Sequence, residues 1–487
     1  MARHVRGVPR HPRLRILSAG TSPARRAFGV LRRRGPQLVA GRRRALGGGQ
    51  PRARAATLVP QREHDGGGDA PPRVGWSLSG RAVHRAVRAP DRRRSVAPVV
   101  IRTLHVITRL TLGGSSENTI GQIVALGRAG YDCALAVGLA ESETATVDDA
   151  RRRGCRIVDV PGLGREVKPV RDVGALLSLV RLCRRERPLI VHTHTSKAGF
   201  IGRLAAKIAR VPLVIHQPHG HIFYGYYEAR RTTVYVKLER LAARWSDRIV
   251  TLTDLGCDEH LSRGIGRREQ FVTIPSGVPV RDLQARAVGR AEARARLGLS
   301  ARDFVILGLG RLVPVKGFDL LVEALARMTP TARDARVVIV GDGPERDRLL
   351  ARAAELGVAD RLVLAGAVVT PETLAKYFAA ADVFAAPARN EGMGRALVEA
   401  MALGLPVVGS AVGGIPSVIG DGVAGRVIAR EDVAGLAEAL LDLASDPRLR
   451  SKLAEAARRR AHDFSTDVAD ARLLSLYSGL VEAQRLR

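Results

Sequence analysis

From residue 99 onward, short apolar runs alternate with helical patterns in two successive series, and no other feature limits the possible folds as strongly. In the first series strand-like runs cover 99–108, 133–138, 156–160, 189–192, 213–217, 248–252 and 271–274, with helical patterns at 117–129, 144–153, 172–186, 196–210 and 228–245. The second series has runs at 304–310, 336–340, 362–365, 383–386, 406–409 and 426–428, then closing helices at 432–444, 447–463 and 466–486. Strands that are apolar throughout are covered on both faces, and helices between them make the connections parallel. Pro275-Ser276-Gly277-Val278-Pro279 interrupts the pattern. The expectation is an α/β chain of two doubly wound domains, 99–275 and 276–465, with a helix at 466–487 crossing back to the first.

Composition separates the first fifth from the rest. Residues 1–98 hold 23 Arg, no Lys and 4 acidic residues, a balance of +19 within a total of +32. Rich in Gly and Pro and without sustained period, this segment cannot bury enough apolar surface to offset its chain entropy, which predicts disorder. Its runs Arg32-Arg33-Arg34 and Arg42-Arg43-Arg44 suit nucleic acid or anionic lipid, yet Phe28 and Trp76 are its only aromatic residues. We read it as an extension with no folded role. Cys133, Cys155, Cys183 and Cys257 stand singly, at no metal or redox spacing, which suggests a reducing compartment and no structural zinc. No apolar run approaches the roughly 18 residues of a membrane span, and the start lacks a signal-peptide centre. A cytoplasmic protein is expected, with peripheral contact at the inner face of the membrane still open.

In doubly wound sheets, ligands sit beyond the carboxyl ends of the strands, and that rule sorts the polar residues. Gly113 and Gly114 follow the first strand, where a backbone can approach a phosphate. His192 and His194 end one strand, while His216, His219 and His221 lie at or beyond the next, without the helical spacing of a metal site. Arg311 and Lys316 bracket a strand-to-helix turn, where a fork and a point charge can neutralise one anion. In 390–409, NEGMGRALVEAMALGLPVVG, Glu391 and Glu399 flank the turn Gly392-Met393-Gly394 and a helix starting near Gly392. About eight helical residues separate the carboxylates by on the order of 12 Å, with free N–H groups of the first turn between them for an anion. Phe223, Tyr224, Tyr226, Tyr227 and Tyr235 cluster before and on a helix with Val234, Leu238, Leu241 and Trp245 on one face and Arg230, Lys237 and Arg244 beside it. That pattern fits either a core helix or a surface for anionic lipid.

With these residues placed, 99–487 resembles the retaining glycosyltransferases of family four, which have the GT-B fold of two Rossmann-like domains facing a cleft. The resemblance rests on GRLVPVKG at 310–317, VGDGP at 340–344, NEGMGRALVEAMALGLPVV at 390–408 and GGIPSVIGDGVAGRVI at 413–428. LGGSSEN, VHTHTSKAG at 191–199 and HGHIFYGYY at 219–227 look like the branch that builds exopolysaccharides and lipid-linked surface glycans. The resemblance implies a hexosyltransferase that moves a sugar from a nucleoside-diphosphate sugar to a glycan or polyprenyl-linked acceptor with retention. By it, Arg311 and Lys316 hold the diphosphate, Glu391 the sugar hydroxyls and Glu399 the ribose. His219 approaches the sugar and phosphate from the other domain, with Gly113 and Gly114 near the phosphate. Ser417 departs from the pattern, standing where many members carry Glu. No Asp-x-Asp triplet occurs in the chain, so no metal and no cofactor are expected. UDP is favoured over GDP, with the base read by backbone near Gly366 to Val369. Competing readings are a sugar-nucleotide epimerase of GT-B fold and a nucleic-acid-binding protein acting through the basic tail; nucleic acid is the less expected partner.

Overall fold

The computed structural model describes residues 100–220, 229–328, 331–368, 370–420 and 422–486. The arginine-rich extension, His221, the aromatic residues Phe223, Tyr224, Tyr226 and Tyr227, and Val369 lie outside the described residues.

Each series of apolar runs forms one sheet. The first contains β1 (Arg102–Ile107), β2 (Asp132–Val137), β3 (Arg156–Asp159), β4 (Ile190–His194), β5 (Leu213–Gln217), β6 (Arg248–Thr251) and β7 (Phe271–Thr273), in the spatial order β3-β2-β1-β4-β5-β6-β7. The second contains β8 (Phe304–Leu309), β9 (Ala335–Val340), β10 (Leu362–Leu364), β11 (Val383–Ala386), β12 (Val407–Ser410) and β13 (Gly425–Ile428), in the order β10-β9-β8-β11-β12-β13. All pairs within these sheets are parallel. This is the two-domain GT-B architecture. In both sheets the order reverses beside the first strand, at β1/β4 and at β8/β11, which is where doubly wound sheets open a ligand crevice.

Side-chain alternation explains the continuous apolar runs. Ile306, Val337 and Ile339 point to one core with Leu321, Leu325, Leu436 and Leu440, while Leu307, Val338 and Val340 point to the other with Leu397, Val398 and Met401. The last helix, Thr466–Arg485, lays Leu473, Tyr477, Leu480 and Val481 on Ile190, Leu213, Ile215 and Val250 of the first sheet. A parallel bridge between Val278 and Ser465 holds the outgoing and returning connections side by side, and the Ser465 hydroxyl caps the helix by accepting from Val468 N.

Two local departures from the sequence reading have physical causes. A helix, Asp254–Ser262, separates β6 from β7, where the sequence pattern places the two strands in direct succession. It buries only Cys257 and His260, so its sequence carries no apolar period, but Thr253 caps it by accepting from Gly256 N. The helix after Glu391 starts at Arg395 rather than near Gly392, because Gly394 takes the left-handed conformation at φ 87. Glu391 therefore sits in the turn and Glu399 beyond the first turn of the Arg395–Ala402 helix.

Candidate active site

On the second domain, the loops after β8 and β11 meet at the point where the strand order reverses. The Lys316 stem lies over Gly310, and its ammonium donates to Glu391 Oε2 at 2.5 Å. Both side chains keep some solvent exposure, 29% and 21%. The Arg389 guanidinium braces the two loops from beneath, donating to Asp319 Oδ1 and Oδ2 at 2.7 and 2.8 Å, to Glu431 Oε1 at 2.7 Å and to Pro314 O at 2.8 Å. Burial would push the Asp319 carboxyl up, but the Arg389 bonds outweigh it and hold the group below the usual carboxylate range. Arg311 is exposed and makes no ion pair among the described residues. Lys316 and Glu391 are thus brought together, while Arg311 stands at the rim of the same loop.

Past Glu391, the Met393 side chain is buried in the second-domain core, so Gly392, Met393 and Gly394 offer the cleft their backbone. Leu397 N and Val398 N bond back to Gly394 O; the N–H groups of Arg395 and Ala396 find no backbone acceptor among the described residues. The positive end of this short helix therefore faces the turn beside Glu391. Glu399 retains 16% side-chain exposure, with Arg395 Nη2 at 3.6 Å. Burial raises its carboxyl above the ordinary value; Arg395 opposes the rise and Glu117 of the first domain adds to it.

On the first domain, Gly113 and Gly114 open the helix Gly114–Arg128 after β1. His219 lies just past β5 with a left-handed backbone at φ 59, and Thr195, just past β4, is held at φ 63. Such conformations are uncommon for non-glycine residues and concentrate at ligand sites. His219 Nε2 lies 2.8 Å from His194 Nδ1, and His219 Nδ1 lies 3.4 Å from the Asn118 amide nitrogen. Burial pushes the His219 imidazole down to about 3, so it is neutral near pH 7. The pleat divides the other histidines: His192 and His194 share one face, whereas His216 turns to the opposite face, 3.0 Å from the Thr193 hydroxyl and beside the Arg203–Glu239 ion pair.

The two halves touch through backbone. A Cβ on Gly392 would come within 2.8 Å of His219 O and 3.1 Å of Gly220 Cα, so only glycine allows this approach. Arg395 spans the same junction, donating to Gly277 O at 2.5 Å while its stem passes 3.3 Å from where a Gly114 Cβ would be. A cavity of about 290 Å³ opens alongside, lined by Leu255 and Glu259 of one domain and Val412, Gly413, Pro416 and Arg430 of the other. Arg395, Asn118 and Arg389 were not singled out from sequence. Each lies within or beside a motif, LGGSSEN or NEGMGRA, and that adjacency is the one signal that could have found them.

Comparison with known proteins agrees with this architecture. Residues 113–277 match the glycosyl transferase 4-like domain and residues 289–460 match glycosyl transferases group 1. The chain is 33% identical over 337 residues to the D-inositol 3-phosphate glycosyltransferase of Actinosynnema mirum, spanning 65% of this chain and 79% of that protein. It is 29% identical to an Escherichia coli UDP-Gal:alpha-D-GlcNAc-diphosphoundecaprenol alpha-1,3-galactosyltransferase, over 71% of this chain and 88% of the relative. Among solved structures, Anabaena Alr3699/HepE in complex with UDP and glucose superposes with a TM-score of 0.66 at 22% identity, over 78% of this chain and all of that one. The chain belongs to the group 1 glycosyltransferases.

Proposed function

We propose that the protein is a retaining, metal-independent hexosyltransferase that moves a sugar from a nucleoside-diphosphate sugar, UDP before GDP, to a polyprenyl-linked or glycan acceptor in surface polysaccharide synthesis. The observation that carries this reading is the convergence of Lys316, Glu391 and a helix N-terminus on one turn, opposite His219. Cleavage of the donor builds charge on the leaving diphosphate, which Lys316, Arg311 and the unpaired N–H groups can stabilise without reorganisation. Lys316 then exchanges Glu391 for phosphate, freeing the carboxylate for sugar hydroxyls. No side chain in the turn is set as a covalent nucleophile, so the departing phosphate takes the acceptor proton on the face it leaves. The named substrate of the Escherichia coli relative supports UDP and a lipid-linked acceptor.

The acceptor side supports contact with an anionic membrane. No helix among the described residues is long and apolar enough to cross a membrane. On the helix Pro169–Glu186, however, Val170, Val173 and Leu177 form an exposed stripe, continued by exposed Arg181 and Arg184. On the helix Ala229–Ala243, Val234 and Leu241 are exposed among Arg230, Arg231 and Lys237, while Leu238 is half-buried. Apolar side chains ringed by cations suit an interface of anionic lipid headgroups.

The test is hydrolysis and transfer with a panel of UDP- and GDP-sugars, repeated with Glu391→Ala and with EDTA, and with the product anomer read by NMR. Retention, EDTA resistance and loss of turnover in Glu391→Ala are expected; an inverted product or EDTA sensitivity overturns the corresponding part. Flotation with anionic vesicles should fall when Val170→Asp and Val173→Asp are combined, and unchanged flotation removes the membrane reading.

A further inference from the structure

Behind His219 a single file of hydrogen bonds runs into the first domain. His219 Nε2 meets His194 Nδ1 at 2.8 Å, His194 Nε2 meets His105 Nδ1 at 3.0 Å, and His105 Nε2 meets the Tyr477 hydroxyl at 3.4 Å. That hydroxyl lies 3.0 Å from His192 Nδ1. The fold assembles the file from distant segments. Parallel register sets His105 of β1 beside His192 of β4, the pleat puts His194 on the same face, and the last helix delivers Tyr477. At the cleft end, His219 Nδ1 faces the Asn118 amide; at the far end, buried His192 Nε2 has no hydrogen-bond partner among the described residues.

Protons can be counted along this file. Burial lowers His105 and His219 to about 3 and holds His192 and His194 well below the ordinary imidazole value, while it raises Tyr477 well above the ordinary phenol value. Near pH 7 each neutral ring and the phenol therefore carry one proton apiece. Each of the four links takes one proton, and the remaining one goes to an end of the file. On His192 Nε2 it would be a buried N–H without acceptor, the rarest state for a buried donor. On His219 Nδ1 it meets Asn118, whose amide can turn its oxygen toward the ring, since the two ends of an amide are alike in shape. The Thr119 hydroxyl, 3.5 Å from His219 Nε2, donates its proton to Ser115 O and leaves the count unchanged.

We infer that the file holds His219 as its Nδ1–H tautomer, that His194, His105, Tyr477 and His192 are positioning residues for it, and that His219 meets its ligand as a neutral ring whose Nδ1–H passes from the Asn118 oxygen to the ligand, not as a base. The last clause rests on the cleft being the donor site; the tautomer does not. A metal is the competing use of these rings, because His105, His192 and His194 bring nitrogens within 4.8 Å of one another. No carboxylate among the described residues completes that group, and a metal would take lone pairs that His105 and His194 already use in the file.

The test is a nitrogen NMR spectrum of the full chain carrying ring-labelled histidine, with signals assigned by single His→Asn variants and Tyr477→Phe. Protonated Nδ1 and bare Nε2 are expected at His105, His192, His194 and His219. A protonated Nε2 at any of the four, or a stoichiometric metal in the purified protein, overturns the inference. Kinetics supply a second arm: His194→Asn keeps an N–H where Nδ1 was and should hold kcat within about threefold, whereas His194→Leu should lower kcat about tenfold at unchanged donor KM, the rate equivalent of one hydrogen bond. Equal rates in the two folded variants also overturn it. If neither variant folds, the wild-type spectrum decides, and it does so even if no nucleotide sugar is turned over.

Discussion

Glu391 and Glu399 lie in one motif but in different electrostatic surroundings, and this separates what each can do. Glu391 is paired at 2.5 Å with Lys316, the cation that the proposed mechanism assigns to the diphosphate, and in that mechanism its charge is coupled to the reacting bond. Glu399 has a carboxyl raised by burial and only a 3.6 Å contact to Arg395, and the proposed mechanism gives it donor binding alone. Glu391→Gln keeps the shape and removes the charge; it should lower kcat by about 30-fold, roughly 2 kcal/mol, with donor KM little changed. Glu399→Gln should raise donor KM about tenfold and leave kcat within twofold. Steady-state kinetics with varied donor reads both, and the opposite pattern would reverse the assignment. The two carboxylates were visible in sequence because both lie in one motif. The Lys316–Glu391 pair was not, since it joins residues 75 apart that only the β8/β11 reversal brings together.

At the scale of elements, the turn Gly392–Gly394 matters through what it lets approach. The Gly392 backbone lies against His219 O, so an added methyl would collide with the first domain while leaving the second-domain core untouched. Gly392→Ala should lower kcat/KM by about tenfold or more and change the unfolding of the second domain by less than about 1 kcal/mol. A variant with wild-type turnover would show that the approach is not needed. Such contacts explain the limits of sequence reading here. The strands were legible because parallel strands buried on both faces are apolar without interruption, as in Val337–Val340. The helix Asp254–Ser262 was not, since it buries too little to show a period. Arg395 was not, because its partner Gly277 lies 118 residues away, at a junction that periodicity does not encode.

Across the whole molecule, the acid sensitivity that comes from buried histidines lies in one half. His105, His192, His194, His216 and His219 all belong to the first domain, and burial lowers each of them, two to about 3. A base whose folded pKa lies below its unfolded value of 6.5 leaves the unfolded chain holding more protons between the two values. Stability is therefore intact above pH 6.5 and falls as pH drops toward 3, by about 1.4 kcal/mol per pH unit for each such group. Glu399 and Asp470, with raised carboxyls, act in the opposite direction, but only in the lower carboxylate range. Trp245, packed on Phe200, reports the first domain, so its fluorescence during urea unfolding reads the effect. The midpoint should fall between pH 7 and pH 5 by the equivalent of at least about 2 kcal/mol, and His105→Gln should make it fall less steeply. A midpoint constant over that interval would mean that these imidazoles titrate in the folded protein, and with that the neutral hydrogen-bonded file behind His219 would no longer stand.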